Sequence, residues 1–124
     1  MKSIIIFLVI IVLLTSCDVG TVDCQDQIIS SENSPDGKFI ACLYERDCGA
    51  TTDVSTTVNL RQAGDKFNGG EERIFVIKGQ AKVQLIWKEP NLLIVKSAAK
   101  NTENIFKQEK RWKDIYIQYE AELN

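Results

Sequence analysis

Apolar and polar residues alternate along several short stretches of this 124-residue chain. In the clearest stretch, residues 54–61, one face would carry Val54, Thr56, Val58 and Leu60. Successive side chains of a β-strand point to opposite faces of the sheet. A period of two in a segment rich in β-branched residues therefore predicts a half-buried strand here.

Similar segments occur at 27–30, 38–46, 73–78, 82–87, 92–96 and 115–119. Turn signals such as Ser34-Pro35-Asp36-Gly37 and Pro90-Asn91 separate them. Segment 38–46 is apolar on both faces, which is typical of a central strand. About seven short strands predict a mainly β fold, either a small antiparallel β-sandwich or a curled meander. Residues 97–113 fit this pattern less well, and they predict either a short helix over 103–111 or a long loop pinned by Ile105, Phe106 and Trp112.

The N-terminal segment has a different character. Met1-Lys2-Ser3 is followed by eleven consecutive apolar residues, 4–14. A membrane-spanning helix needs roughly 20 apolar residues, whereas the apolar region of a signal peptide has about 7–15. The segment therefore predicts a signal peptide over residues 1–16.

Leu14-Thr15-Ser16-Cys17 follows this run directly and resembles the lipobox of bacterial lipoproteins. The resemblance implies that Cys17 receives a thioether-linked diacylglycerol, that the leader is removed, and that the new amine is acylated, as with palmitate. It places the chain at the cell membrane, lipid-anchored on the extracytoplasmic side. Asp18 resembles the inner-membrane retention signal of enterobacterial lipoproteins. The alternative is an ordinary signal peptide in which the cysteine is incidental.

Removal of the leader leaves a lipidated N-terminus and tether over 17–23 and a single β-rich domain over 24–124. The net charge is −2 at pH 7, and it becomes −3 without Lys2, so the basic excess of a nucleic-acid-binding domain is absent. The chain contains no histidine, which excludes Ser-His-Asp and Cys-His catalysis and histidine-containing zinc sites. We predict no catalytic residue, no metal ligand and no cofactor.

Three cysteines remain once the lipobox cysteine is set aside, enough for one disulfide and one thiol. Along a straight strand Cys42 and Cys48 would lie about 20 Å apart, but a disulfide needs Cα atoms within about 7 Å. Pairing the strands around the turn at 34–37 puts Cys24 opposite Asp47, and a one-residue bulge would move it opposite Cys48. We therefore predict a Cys24–Cys48 disulfide and a buried free thiol at Cys42.

The segment Glu45-Arg46-Asp47-Cys48-Gly49-Ala50-Thr51-Thr52-Asp53 resembles a loop in a group of small uncharacterised bacterial envelope proteins, which share a Cys-Gly-Ala-Thr-Thr sequence. The resemblance covers about residues 24–61 and implies a fold, without an activity. A polar turn clamped by a disulfide is either purely structural or a recognition loop. In the second case the candidate residues are Asp47, Gly49, Thr51, Thr52 and Asp53.

Charged groups suggest two further sites. Glu45, Asp47 and Asp53 could hold a cation such as calcium, although their spacing lacks the pattern of calcium-binding loops. Basic residues near the C-terminus could contact anionic headgroups, but acidic neighbours favour a solvated face. These basic residues are Lys100, Lys107, Lys110, Arg111 and Lys113, interleaved with Phe106 and Trp112. Trp87 and Trp112 are predicted to be core residues.

The leading hypothesis is a lipid-anchored envelope lipoprotein that acts non-enzymatically, as a binding or structural module at the membrane surface. Its partners would be the membrane, through the N-terminal lipid, and an envelope protein. One alternative is an immunity or exclusion lipoprotein against a toxin or phage. A less favoured alternative is a cell-wall hydrolase that uses Glu45 and Asp53 as paired carboxylates.

Overall fold

The computed structural model describes residues 23–49, 53–98 and 102–121. Predictions that concern the leader, Cys17, Asp18, Thr51, Thr52 and Lys100 fall outside the described residues. Within them the chain forms nine β-strands and a three-residue 3-10 helix, Thr102–Asn104. The strands are β1 Gln25–Asn33, β2 Phe39–Asp47, β3 Ser55–Gln62, β4 Arg73–Lys78, β5 Val83–Glu89, β6 Leu92–Ser97, β7 Ile105–Gln108, β8 Arg111–Trp112 and β9 Ile115–Ala121.

The strands form two sheets. One has five strands in the order β1-β2-β3-β4-β7, and the other has four in the order β5-β6-β9-β8. The mainly β prediction is therefore confirmed, in its sandwich form. One pair departs from the antiparallel expectation: β6 and β9 run parallel. Between them the chain adds β7 to the other sheet, which supplies the long crossover that parallel neighbours require.

The turn at 34–37 forms as predicted. The N–H of Gly37 donates to the carbonyl of Ser34 at 2.9 Å, and the Ser34 hydroxyl donates to the Asp36 carboxylate at 2.6 Å. This hydroxyl and, after it, the backbone N–H of Lys38 hold the pKa of the Asp36 carboxyl below its ordinary value. The turn joins β1 to β2, and β2 is a central strand, as its two apolar faces indicated.

The core lies between the two sheets. Side chains of the five-stranded sheet, such as Leu43, Val58 and Leu60, are fully or almost fully buried and belong to one cluster with Leu93 and Ile117 of the other sheet. A buried aliphatic side chain stabilises the fold by roughly 1.5–3 kcal/mol relative to an exposed one. The alternation seen in the sequence directs these residues into the sandwich.

The outer face of the five-stranded sheet is also buried, although no second sheet packs on it among the described strands. Cys42, Tyr44 and Asn59 on this face are at most 2% exposed. Residues 63–72, which we call the cover loop, cross above them between β3 and β4. The expectation that β3 is only half-buried was therefore wrong, because both of its faces are covered.

Directional contacts hold the cover loop in place. The Tyr44 hydroxyl donates to the carbonyl of Gly69 at 2.7 Å, and the Tyr44 and Phe67 rings meet edge to face with centroids 5.0 Å apart. The Asn59 amide donates to the carbonyls of Asn68 at 3.0 Å and Glu71 at 3.3 Å. A side chain at position 69 would displace the carboxylate of Asp26, which packs closely against Gly69.

The structure of residues 103–111 differs from the predicted helix or long loop. Instead of a helix or a loop, the 3-10 turn is followed by β7, which pairs with β4, and then by β8. Ile105 and Trp112 pack against the core as expected, but Phe106 is 66% exposed and pins nothing. On a strand, neighbouring side chains point to opposite faces, so an inward Ile105 turns Phe106 outward.

Candidate functional site

A disulfide closes the base of the first hairpin. Cys24 immediately precedes β1 and Cys48 immediately follows β2, and their Cα atoms are 4.0 Å apart. A bulge is present, but it lies on β1, where Ile29 has no partner between Ile28 and Ser30. The assumed register required the extra residue on β2 instead. Nearer the turn, Asn33 pairs with Ile40, two positions from that register, because the connection is wider than a four-residue turn. The bulge on β1 removes one of these two positions, and this brings Cys24 opposite Cys48.

Cys42 is the buried free thiol that the cysteine count predicted. Its sulfur lies 3.5 Å from the Ser31 hydroxyl oxygen across the β1–β2 pair. It occupies the outer face of the sheet, beneath the cover loop. Its position gives it a packing role.

The described ends of the predicted recognition loop are held by local contacts. The carboxylate of Asp47, the last residue of β2, accepts the backbone N–H of Gly49 at 3.0 Å. Gly49 has a φ of +123°, a conformation that side-chain-bearing residues rarely adopt. At the other end, Asp53 forms an exposed ion pair with Lys78 at 3.1 Å. Thr51 and Thr52 lie between these ends, outside the described residues.

Beside this loop, the uncovered end of the β1–β2 hairpin forms a shallow polar groove of about 230 Å³. We call it the hairpin groove. Pockets that bury a small-molecule ligand usually enclose roughly 300–1,000 Å³. The hairpin groove is therefore smaller than a typical ligand pocket, but it could accommodate one side chain of another protein. It is lined by Gln25, Asp26, Gln27, Glu45, Asp47 and Val54.

The hairpin groove is acidic. Asp26, Glu45 and Asp47 contribute carboxylates, and the groove's lining includes no lysine or arginine. Arg46 partly offsets this charge, since its guanidinium lies 3.5 Å from the Asp26 carboxylate. The structure thus brings together Glu45 and Asp47 but places Asp53 elsewhere, against Lys78. Within the described residues no group of three or more acidic or cysteine side chains could hold a metal ion.

The separation of Glu45 from Asp53 also bears on the hypothesis that the protein is a cell-wall hydrolase. Glu45 lines the hairpin groove, whereas Asp53 is engaged in its exposed ion pair. Paired acid chemistry needs two carboxyl groups that face one substrate bond. The geometry therefore lends no support to Glu45 and Asp53 as a catalytic pair.

Two buried phenols have altered acidity. Burial, and after it the charge of Asp26, raises the pKa of Tyr44 far above its ordinary value. Burial and the nearby Glu109 carboxylate do the same for Tyr119. The Tyr119 hydroxyl donates to the carbonyls of Ile74 and Glu109. Both phenols stay protonated at neutral pH and act as hydrogen-bond donors that join separate parts of the chain.

Strand β1 adds a feature that the sequence reading passed over. It is an edge strand of the five-stranded sheet, and Ile28 and Ile29 on it are 48% and 52% exposed. The short apolar run in the sequence predicted a strand here but did not indicate its exposure. The signal that could have indicated it is the polar sequence on both sides of the two isoleucines, which leaves no continuous apolar face.

The C-terminal basic cluster is largely neutralised where it is described. Lys107 lies 3.9 Å from Glu109 and Arg111 lies 3.7 Å from Asp114. The Lys113 ammonium sits 4.9 Å from the centre of the Trp112 ring. These contacts favour the solvated face over a headgroup-binding patch.

Both tryptophans pack partly buried against the core, as predicted. Each also donates its indole N–H across the molecule. Trp87 donates to the carbonyl of Glu32 on β1 at 2.9 Å, and Trp112 donates to the carboxylate of Glu72. Trp87 thus connects the two sheets, and Trp112 connects the four-stranded sheet to the cover loop.

No helix within the described ranges has the length and apolar character needed to cross a membrane. No protein-family model matches the chain, and no curated protein or solved structure is significantly similar to it.

Proposed function

We propose that this protein is a lipid-anchored lipoprotein of the bacterial envelope that acts non-enzymatically, as a binding or structural module at the membrane surface. The observation that carries the proposal is the lipobox-like Leu14-Thr15-Ser16-Cys17 placed just ahead of a disulfide-closed β-domain. Cys24 lies only seven positions after Cys17. An extended segment of that length spans at most about 25 Å.

The anchor would hold the stapled end of the domain close to the bilayer. Each buried methylene of an acyl chain contributes about 0.8 kcal/mol, and two or more chains anchor a protein stably. The disulfide itself supports an extracytoplasmic location, because such bonds persist in oxidising compartments. Asp18 favours the inner membrane if the host is Gram-negative.

Three features of the stapled end support a role in binding another protein. The hairpin groove is too small to enclose most small-molecule ligands. The neighbouring edge strand β1 exposes two isoleucines. The disulfide fixes both features relative to each other, and rigid presentation lowers the entropy that is lost on binding.

Lipidation can be tested on the full chain expressed in a bacterium that processes lipoproteins. We expect the wild-type protein in the membrane fraction, with a mature mass that corresponds to a diacylglyceryl cysteine at residue 17. The Cys17→Ser variant should lose both properties. The Ser16→Ala variant keeps a small residue before the cysteine, and it should behave as the wild type. Equal membrane association and equal mass for the wild type and Cys17→Ser would refute the anchor.

The binding role requires a separate test. The wild-type protein, cross-linked in intact cells and purified from solubilised membranes, should recover the same envelope protein in replicate experiments. A variant carrying Glu45→Gln and Asp47→Asn in the hairpin groove should recover less of it. Lys88→Gln and Glu89→Gln, which alter exposed charges on β5, provide the matched control. Failure to recover any specific protein from several growth conditions would contradict the binding role.

A further inference from the structure

Within the described residues, β1 pairs with β2 on one side only. An edge strand carries a row of backbone N–H and C=O groups that can bond to another extended segment. β1 is nine residues long, whereas β7 at the other edge of the sheet has four. β1 therefore offers the longer surface for such an addition.

Neighbouring backbone hydrogen bonds fix which groups of β1 point outward. The N–H of Ser34 donates to the carbonyl of Phe39 on the β1 side of β2, whereas the carbonyl of Lys38 accepts the N–H of Ala63 on the β3 side. Backbone direction alternates along a strand, so the odd-numbered residues of β2 bond to β1 and the even-numbered residues bond to β3. The residues of β1 opposite Arg46, Tyr44 and Cys42 therefore direct their backbone groups outward. These residues are Asp26, Ile28 and Ser31.

The side chains around this open stretch define what it would bind. Ile28 and Ile29 present exposed apolar surface in its centre. β1 itself carries two carboxylates, Asp26 and Glu32, and no lysine or arginine. The hairpin groove alongside adds Glu45 and Asp47. An added strand would thus meet apolar surface flanked by negative charge.

We infer that residues 26–31 of β1 bind an extended segment of a partner protein, rich in alternating basic and apolar residues, which joins the sheet as a sixth strand. This inference rests on the binding role proposed above and names its surface and its ligand class. Backbone hydrogen bonds to Asp26, Ile28 and Ser31 supply the pairing. Apolar side chains of the segment cover Ile28 and Ile29, and its basic side chains approach the hairpin groove.

A second copy of the chain fits this edge less well. Antiparallel self-pairing centred on Ile28 and Ile29 would place Asp26 of one copy at or next to Glu32 of the other. Like charges facing each other across a strand pair are destabilising. The charge pattern therefore selects a basic segment over self-association.

The probe for the test is a fluorescein-labelled hexapeptide of alternating lysine and valine, titrated against the purified full chain in a non-ionic detergent. Fluorescence anisotropy should show saturable binding that weakens as salt is added. Replacing lysine by glutamate in the peptide should weaken binding roughly tenfold or more. N-methylation of alternate backbone amides should weaken it similarly, because it removes the strand-pairing donors.

Two variants at one position separate edge pairing from general attraction. Ile28→Pro removes an outward N–H without taking a bond from the β1–β2 ladder, a position that proline tolerates in edge strands. It should keep the melting temperature close to the wild-type value but lose peptide binding. Ile28→Val retains the N–H and favours a strand, so it should bind the lysine peptide as the wild type does.

The inference is overturned if the lysine peptide fails to bind the wild type, or binds folded Ile28→Pro equally well. It is also overturned if sedimentation shows a dimer that Ile28→Pro converts to monomers, because the occupant is then a second copy. Failure of peptide binding while cross-linking still recovers an envelope partner would leave the proposed function standing. Equal mass and equal membrane association of Cys17→Ser and the wild type would instead refute the anchor and leave peptide binding unchanged.

Discussion

Two consecutive residues of β3 show that the faces of the five-stranded sheet are stabilised in different ways. Leu60 points into the sandwich and packs among aliphatic side chains of both sheets. Asn59 points to the opposite face and donates two hydrogen bonds to carbonyls of the cover loop. Both side chains are at most 2% exposed. Equal burial on one strand therefore arises from two kinds of interaction.

The difference shows which face tolerates change. Apolar burial is non-directional and depends on the area removed from water. The outer face depends on directional bonds from Tyr44 and Asn59 to a segment that is not itself a strand. Loops with few apolar contacts open at lower free energy than core strands. The outer face should therefore open locally, while the inner face is lost only when the whole domain unfolds.

The largest expected effect is on the inner face. Leu60→Ala should lower the free energy of unfolding by about 3 kcal/mol, because it removes buried methylenes and leaves a cavity between the sheets. Urea denaturation followed by tryptophan fluorescence would measure it. A loss below about 1 kcal/mol would show that the sandwich core collapses readily around this position.

A smaller but more local effect is expected on the outer face. Asn59→Ala should cost about 2 kcal/mol, since the carbonyls of Asn68 and Glu71 lose their donor. Amide hydrogen exchange in the cover loop should accelerate more than exchange in β6. Asn91→Ala, in the exposed β5–β6 turn, serves as a control and should stay within about 0.5 kcal/mol of the wild type. Uniform acceleration in both regions would show that the two faces unfold together.

The smallest expected effect is that of one hydroxyl group. Tyr44→Phe keeps the ring against Phe67 but removes the donor to the Gly69 carbonyl. At pH 7 this should cost about 1 kcal/mol in urea denaturation. A neutral result would indicate that the edge-to-face ring contact alone retains the cover loop.

The same variant should change the response to alkali. Burial raises the pKa of the Tyr44 phenol, so above about pH 10 the folded state retains a proton that the unfolded state releases. The contribution of this group to stability is complete below pH 10 and falls as pH rises, by about 1.4 kcal/mol per pH unit. The Tyr44→Phe variant has no phenol to titrate at this position, so its stability does not fall in this way. The difference in unfolding free energy between the variant and the wild type should therefore disappear near pH 11. Parallel denaturation curves at pH 8 and pH 11 would test this.

The sequence predicted best what local alternation and spacing determine. Segment 73–78 was expected as a strand and is β4 with the same bounds. The Cys24–Cys48 pairing could be inferred because it depends on one hairpin and one bulge. Both predictions involve residues whose partners lie close in the chain or on the next strand.

Long-range packing could not be predicted in this way. The glycines near 63–72 indicated a loop, but its burial of Asn59 depends on contacts with a sheet face that local pattern does not reveal. The parallel pairing of β6 with β9 depends on where β7 and β8 are placed. The hairpin groove depends on the fold as well, because the fold brings Val54, which precedes β3, beside residues of β1 and β2. The sequence singled out Glu45 and Asp47 as candidate functional residues, but it did not reveal that they lie apart from Asp53.

The disulfide at the start of β1 has a mechanical consequence. Tension applied to the chain ahead of Cys24 passes through the sulfur–sulfur bond to Cys48 and so divides between β1 and the end of β2. β1 cannot be peeled from β2 one hydrogen bond at a time, because the first pair in the row is covalent. A pull from the N-terminal side therefore acts on β1 and the end of β2 together, and not on β1 alone. The hairpin should withstand traction from its N-terminus far better after oxidation than after reduction.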